Sequence, residues 1–187
     1  LIGFSSGDLL GIAINVSTLG WPFGPVCRRG LTHVGIVAAD AADRPALWEA
    51  TTLCDFSCLY CGRIHDGLQS HGPMTRIKNY RGAVWHYPLR LPLDDIEKKQ
   101  LFRYAEKFHG QSYDYEGAAQ SRSLCLGWLF RRSRRENLSS LFCSEFAAAA
   151  WEAAEVWDTP NVSAWNPNRL AKVAVAVGLV GEPGRLR

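Results

Sequence analysis

The apolar pattern of this chain changes period once, and that change limits the folds open to it. In the first half, apolar residues come in short runs rich in β-branched types and bounded by Gly, Asp and Pro. These runs are 7–13 (GDLLGIA), 33–39 (HVGIVAA) and 46–52 (ALWEATT). Their length and composition predict buried strands. Residues 74–79 and 83–89 predict a strand pair turning at Arg81-Gly82. From residue 94 the spacing becomes helical. Leu101, Tyr104, Ala105 and Phe108 share one face of a helix expected over 94–109, with acids at its start and Gly110 after its end. An alanine-rich stretch predicts a helix over 143–156. Asn166-Pro167 supplies an N-cap and a first helical proline for a last helix over 167–177, which Gly178 stops. Strands first and helices after predict an α+β fold with an antiparallel sheet.

The chain has 187 residues, 47% of them apolar, enough for one core but cramped for two. A single domain over 1–187 is therefore expected. The longest apolar stretch, 171–180, carries Lys172 and falls short of the ~20 residues that a membrane span needs. Residues 1–10 have no basic start and contain Asp8, so they lack the pattern of a signal peptide. A net charge of +3 is too small to argue for a nucleic-acid partner. One segment, 124–135, sets Leu124, Leu126, Trp128, Leu129 and Phe130 before Arg131, Arg132, Arg134 and Arg135. Such a segment could dock on an anionic lipid surface, or be a buried stretch followed by a solvated basic loop.

Six cysteines stand at 27, 54, 58, 61, 125 and 143. Disulfide frameworks serve small secreted domains without a core, so reduced thiols and a cytoplasmic location are expected. A phage particle or a secreted location is the alternative. Cys54, Cys58 and Cys61 follow C-x3-C-x2-C, with Tyr60 before the last. Radical S-adenosylmethionine enzymes use that spacing for an iron–sulfur cluster, but they need a barrel of alternating strands and helices. Adding His65 gives a Cys3His set for a structural zinc with no open position. Plain reduced thiols in a loop are the third reading, and no other cofactor is required. Gly3-Phe4-Ser5-Ser6-Gly7 satisfies Gly-x-Ser-x-Gly but leads into a strand, where a nucleophile elbow needs a helix. His71, His86 and His109 have no motif around them and are expected as surface or packing residues.

Three residues combine into a possible thiol acyl-transfer site. Cys143 stands where a loop meets the alanine-rich helix, and a helix N-terminus favours thiolate. His33 opens a buried strand. Glu49 lies on the next strand, where a carboxylate would fix the imidazole's tautomer and stabilise its charged form. A buried small hydrophobe at Cys143 and a satisfied edge residue at His33 are the plainer alternatives.

Five short motifs occur in order: Gly7-Asp8-Leu9-Leu10, Thr32-His33-Val34-Gly35-Ile36-Val37, Trp48-Glu49-Ala50, Tyr113-Asp114-Tyr115 and Phe142-Cys143-Ser144-Glu145-Phe146. With them the chain resembles the circularly permuted papain-like cysteine hydrolases of the NlpC superfamily over about residues 7–156. The YiiX/YebB-like branch is nearest, and lecithin retinol acyltransferase is a more distant relative. The resemblance implies a permuted papain-like fold with Cys143 as nucleophile, His33 as base and Glu49 as orienting residue. It also implies a structural role for Asp8 and a substrate-side role for Tyr113. Residues 53–72 would be a cysteine-rich insert. The implied substrate carries a peptide, isopeptide or peptidoglycan-type bond. The alternatives are a non-catalytic module of a larger assembly, such as a phage particle, and a lipid acyltransferase or thioesterase.

Overall fold

A computed structural model of the chain describes residues 1–5, 31–40, 42, 44–52, 55–114, 141–159 and 161–187. The expected strand at 7–13, Asp8, Cys54 and the segment 124–135 lie outside these residues. The described residues form an α+β fold, as the order of periods predicts. Six strands make one antiparallel sheet: β1 (Ile2–Ser5), β2 (His33–Ala39), β3 (Pro45–Thr51), β4 (Gly67–His71), β5 (Ala83–His86) and β6 (Gly184–Arg185). Their order across the sheet is β4-β3-β2-β1-β5-β6. The helices are α1 (Pro73–Asn79), α2 (Asp95–Lys107), α3 (Cys143–Ala153) and α4 (Pro167–Ala176), with a short 3-10 turn at Val162–Ala164. No helix among the described residues is long and apolar enough to cross a membrane.

Strands β2 and β3 are the centre of the arrangement. Asp40 closes the turn between them: its Oδ1 accepts the Ala42 and Arg44 amides at 2.8 and 2.9 Å. A short acidic side chain doing this is the usual way a tight turn replaces missing backbone bonds. Ile36 then pairs with Trp48 and Val37 with Leu47. Leu47 and Trp48 point to opposite faces, as neighbours on a strand must, and both are fully buried. Each face of β3 is therefore covered. Trp48 joins Val34, Ile36, Phe146 and Trp151 in the main core, whereas Leu47 joins Ile2, Ile77 and Val84 beneath α1.

Helix α3 lies against the main-core face, and every residue from Cys143 to Trp151 is buried. Its four consecutive alanines let the helix axis approach the sheet closely. Asp94 and Glu97 start α2 with a reciprocal capping box, Asp94 Oδ1 accepting the Ile96 and Glu97 amides at 2.7 and 2.8 Å. Asn166 caps α4 through the Arg169 amide at 2.9 Å.

Two expectations need correction. Residues 74–79 are helical, not a strand. Pro73 occupies the first helical position, where its missing N–H costs nothing, and Arg76 and Lys78 sit in the last turn beside the carbonyl end. The strand expected over 83–89 stops at His86, close before Pro88, and pairs with β1 and β6 instead of with 74–79. Within the region expected as an insert, residues 67–71 form β4, the edge strand.

Gly67 starts β4 at φ +101°, and a Cβ there would lie 1.8 Å from the Gln111 carbonyl oxygen. Both the backbone conformation and the contact exclude a side chain. Gly67→Ala is expected to lower stability by about 2 kcal/mol or more, read as a lower urea midpoint at unchanged slope.

Candidate functional site

The antiparallel register brings two of the expected site residues together. Extending the Ile36–Trp48 pairing by one position sets Gly35 opposite Glu49, with His33 the next residue on the same face. A Cβ at Gly35 would sit 2.9 Å from the Trp48 carbonyl oxygen and 3.2 Å from the Glu49 Cβ. Glycine thus leaves the room in which the two side chains meet. His33 Nε2–H donates to Glu49 Oε2 at 2.6 Å. Helix α3 packs across β2 and β3, and its first residue, Cys143, is hydrogen-bonded to His33. Because Nε2 is taken by Glu49, Nδ1 is the ring nitrogen left for the thiol.

Burial alone would lower the pKa of His33. Charge attraction and a hydrogen bond from Cys143, followed by those from Glu49, outweigh it and raise the pKa from 6.5 to about 9. Cys143 itself is only 4% exposed. Phe142 caps α3 without a side-chain bond, and the positive end of the helix dipole lies at the thiol. Ser144 Oγ donates to the Trp165 carbonyl at 2.8 Å and Ser163 Oγ donates to Glu145 Oε1. These bonds fix the first turn of α3 to the 3-10 turn. Tyr113 is half-buried and bridges to Leu141, two residues before Cys143. The Asp114 amide bonds the Leu141 carbonyl at 3.1 Å in the same short pairing.

Glu49 is fully buried and has two further partners that the sequence did not suggest. His71 Nδ1–H donates to Oε1 at 2.9 Å, and Arg76 Nε–H donates to the same oxygen at 2.7 Å. Burial works against a charged carboxylate. The hydrogen bonds from His33 and His71 and the charges of His33 and Arg76 outweigh it and hold Glu49 far below the usual carboxylate range. His71 was expected as a surface or packing residue and Arg76 in a strand. Strand β4 and helix α1 carry both, buried, to one carboxylate. The Gly72-Pro73 helix start just after His71 was the available signal.

The insert cysteines form a second constellation. Cys58, Cys61 and His65 gather as their spacing suggests, but the fourth member is His109, just past the end of α2. The four ligand atoms lie within 4.8 Å of one another, so this Cys/His cluster could hold a metal ion. His109 is thus no mere surface residue, whereas His86 is exposed as expected. Burial would raise the Cys58 thiol. Hydrogen bonds from the Ser70 amide and hydroxyl, then from the Cys61 amide and the His65 ring, outweigh it and bring the pKa down to about 5.

A shallow groove lined by Val37, Ala39, Pro45, Leu93 and Lys98 lies at the far end of β2 from His33 and includes none of these groups. In comparisons with known proteins, the chain matches no family model, no curated protein and no solved structure.

Proposed function

We propose that the protein is a thiol hydrolase or acyltransferase of permuted papain-like architecture, acting on peptide, isopeptide or peptidoglycan-type bonds. One observation carries this reading. A single imidazole, His33, is hydrogen-bonded on one side to a fully buried carboxylate and on the other to a thiol at a helix N-terminus. The three groups come from three separate elements, so no local sequence constraint forces them together.

In the proposed cycle, the Cys143 sulfur attacks an amide or ester carbonyl. A carbon–sulfur bond forms, and the carbonyl electrons move to oxygen. The tetrahedral species collapses as His33 gives its proton to the departing amine or alcohol, leaving a thioester. Water or an acceptor, deprotonated by His33, then displaces the Cys143 thiolate. In this cycle the Cys143 backbone N–H serves as an oxyanion donor. Glu49 does not take the proton, because its partners keep it ionised. It holds the ring through Nε2 and stabilises the imidazolium. Tyr113, paired beside the approach to Cys143, flanks the bound acyl group.

The pH dependence follows from His33. Its pKa in the fold lies above the free value of 6.5. The charged pair therefore contributes its full stability below about pH 6.5 and loses it as pH rises through about 9. The imidazolium needed to protonate a leaving group persists over that range, so the alkaline limb of kcat/KM is expected near 9. Nuclear magnetic resonance of the His33 ring tests this directly. The expected midpoint is about 9, and it should fall in Cys143→Ala because the thiol is the larger source of the rise. A midpoint near 6.5 in the unaltered protein would remove the charged pair and the mechanism built on it.

A non-catalytic binding module is the second reading, favoured by the 4% exposure of Cys143. It shares the titration of His33 but forms no covalent adduct at Cys143.

A further inference from the structure

We infer that Cys58, Cys61, His65 and His109 form a tetrahedral zinc site that staples the loop before β4 to the end of α2. This inference does not rest on the thiol-transfer reading. The loop is already shaped for a metal. Cys58, Leu59, Tyr60, Cys61 and Gly62 make a tight turn in which the Gly62 amide bonds the Cys58 carbonyl at 2.8 Å. The Cys58 amide bonds the Arg63 carbonyl at 2.9 Å and closes the turn. Gly62 sits at φ +70°, a conformation that most side chains resist. A turn of this kind presents both sulfurs of a C-x2-C pair to one point. The Ser70 amide donates to Cys58 Sγ at 3.3 Å, the sort of contact that supports a ligating thiolate.

The two imidazoles complete the set. His65 Nδ1–H donates to the Asp66 carbonyl at 2.9 Å, which fixes the tautomer and puts the free lone pair on Nε2. That Nε2 is buried and faces the Cys58 thiol. A metal between the two would take up the nitrogen's lone pair. His109 Nε2 lies 3.3 Å from Cys58 Sγ. Its ring packs on Tyr60 at 4.6 Å and stands edge-on to His65 at 5.3 Å. Tetrahedral zinc with these ligands separates its donor atoms by roughly 3.3–3.8 Å. The observed limit of 4.8 Å needs only small side-chain adjustments.

Two thiolates and two imidazoles suit zinc. With all four positions filled, the ion would be structural. The set shares Cys58, Cys61 and His65 with the Cys3His set expected from the local motif, and His109 supplies a ligand from far along the chain. A crosslink between such distant points removes more freedom from the unfolded chain than a knuckle within the insert. It also steadies β4, since the Leu59 amide bonds the Ser70 carbonyl at 2.8 Å next to His71.

The test is metal analysis of the full chain purified without added metal, together with cobalt substitution. The expected result is about one zinc per chain, and a cobalt form with thiolate charge-transfer and tetrahedral visible bands. Cys58→Ser and His109→Ala should each weaken zinc binding at least about tenfold, and Cys54→Ser should not. Chelation should lower the melting temperature by roughly 10 °C. His109→Cys guards against a misfolded alanine variant: it should keep the metal and strengthen the thiolate charge-transfer band. Absence of stoichiometric zinc, iron with labile sulfide, or zinc lost in Cys54→Ser but kept in His109→Ala would each overturn the inference.

Discussion

Replacing Cys143 or His33 with alanine is expected to cut acyl-probe labelling and turnover by about a thousandfold or more. The physical case for a chemical loss, as opposed to an unfolded protein, differs between the two. Cys143 opens a helix whose next buried turns are largely alanine, so Cys143→Ala deletes one sulfur and leaves a small gap. His33→Ala removes one donor from Glu49, but His71 and Arg76 remain on the carboxylate at 2.9 and 2.7 Å. The buried charge stays paired, and the fold should persist. Both variants should therefore melt close to the unaltered protein while losing activity together. Their combined replacement should cost little more than either alone, because one thiol–imidazole unit is being removed.

The second large effect falls on stability. Glu49→Gln leaves Arg76 buried beside an uncharged amide, and a buried charge stripped of its partner typically costs about 3–5 kcal/mol. For a chain of this size that corresponds to a fall of about 10 °C in melting temperature. Because the pKa of Glu49 is held down in the fold, its contribution is complete above the ordinary carboxylate range. That contribution is lost only as pH falls toward the depressed value. The penalty should therefore show in full at neutral pH and shrink in strong acid. Activity of the folded fraction should fall less than in His33→Ala, since glutamine can still accept a hydrogen bond from the ring and Glu49 orients without transferring a proton. A variant as stable as the original would mean that Arg76 does not need the carboxylate.

The comparison of strands explains what could be read from sequence. His33–Ala39 was legible to the residue, because an apolar, β-branched run between polar boundaries has few other solutions. Strand β4 was not. Its sequence is GLQSH, and every residue is buried even though three are polar. Its polar side chains make hydrogen bonds, such as Gln69 Nε2 to the Thr51 carbonyl at 3.0 Å, which leave no mark in an apolar pattern. Helix α1 was misread because Met74 and Ile77 are its only large apolar residues, too few over so short a stretch to establish a helical period. Only Pro73 discriminated.

The same logic divides the two candidate sites. Cys143 and His33 carry chemically distinctive side chains at element starts and Glu49 carries one within the next strand, so they could be proposed before any geometry. His71 and His109 could not, because their partners come from other elements. His71 meets a carboxylate two strand positions away on β3, and His109 meets sulfurs that precede it by two strands and two helices. Contacts of that kind depend on register and packing, which spacing along the chain does not encode.

The most direct test is to find which cysteine reacts. The full chain should be treated with a small electrophilic acyl probe, and the adduct located by peptide mass spectrometry. A single adduct on Cys143, lost in His33→Ala, is the predicted result. An unmodified Cys143 with the probe on Cys58 or Cys61 would contradict it.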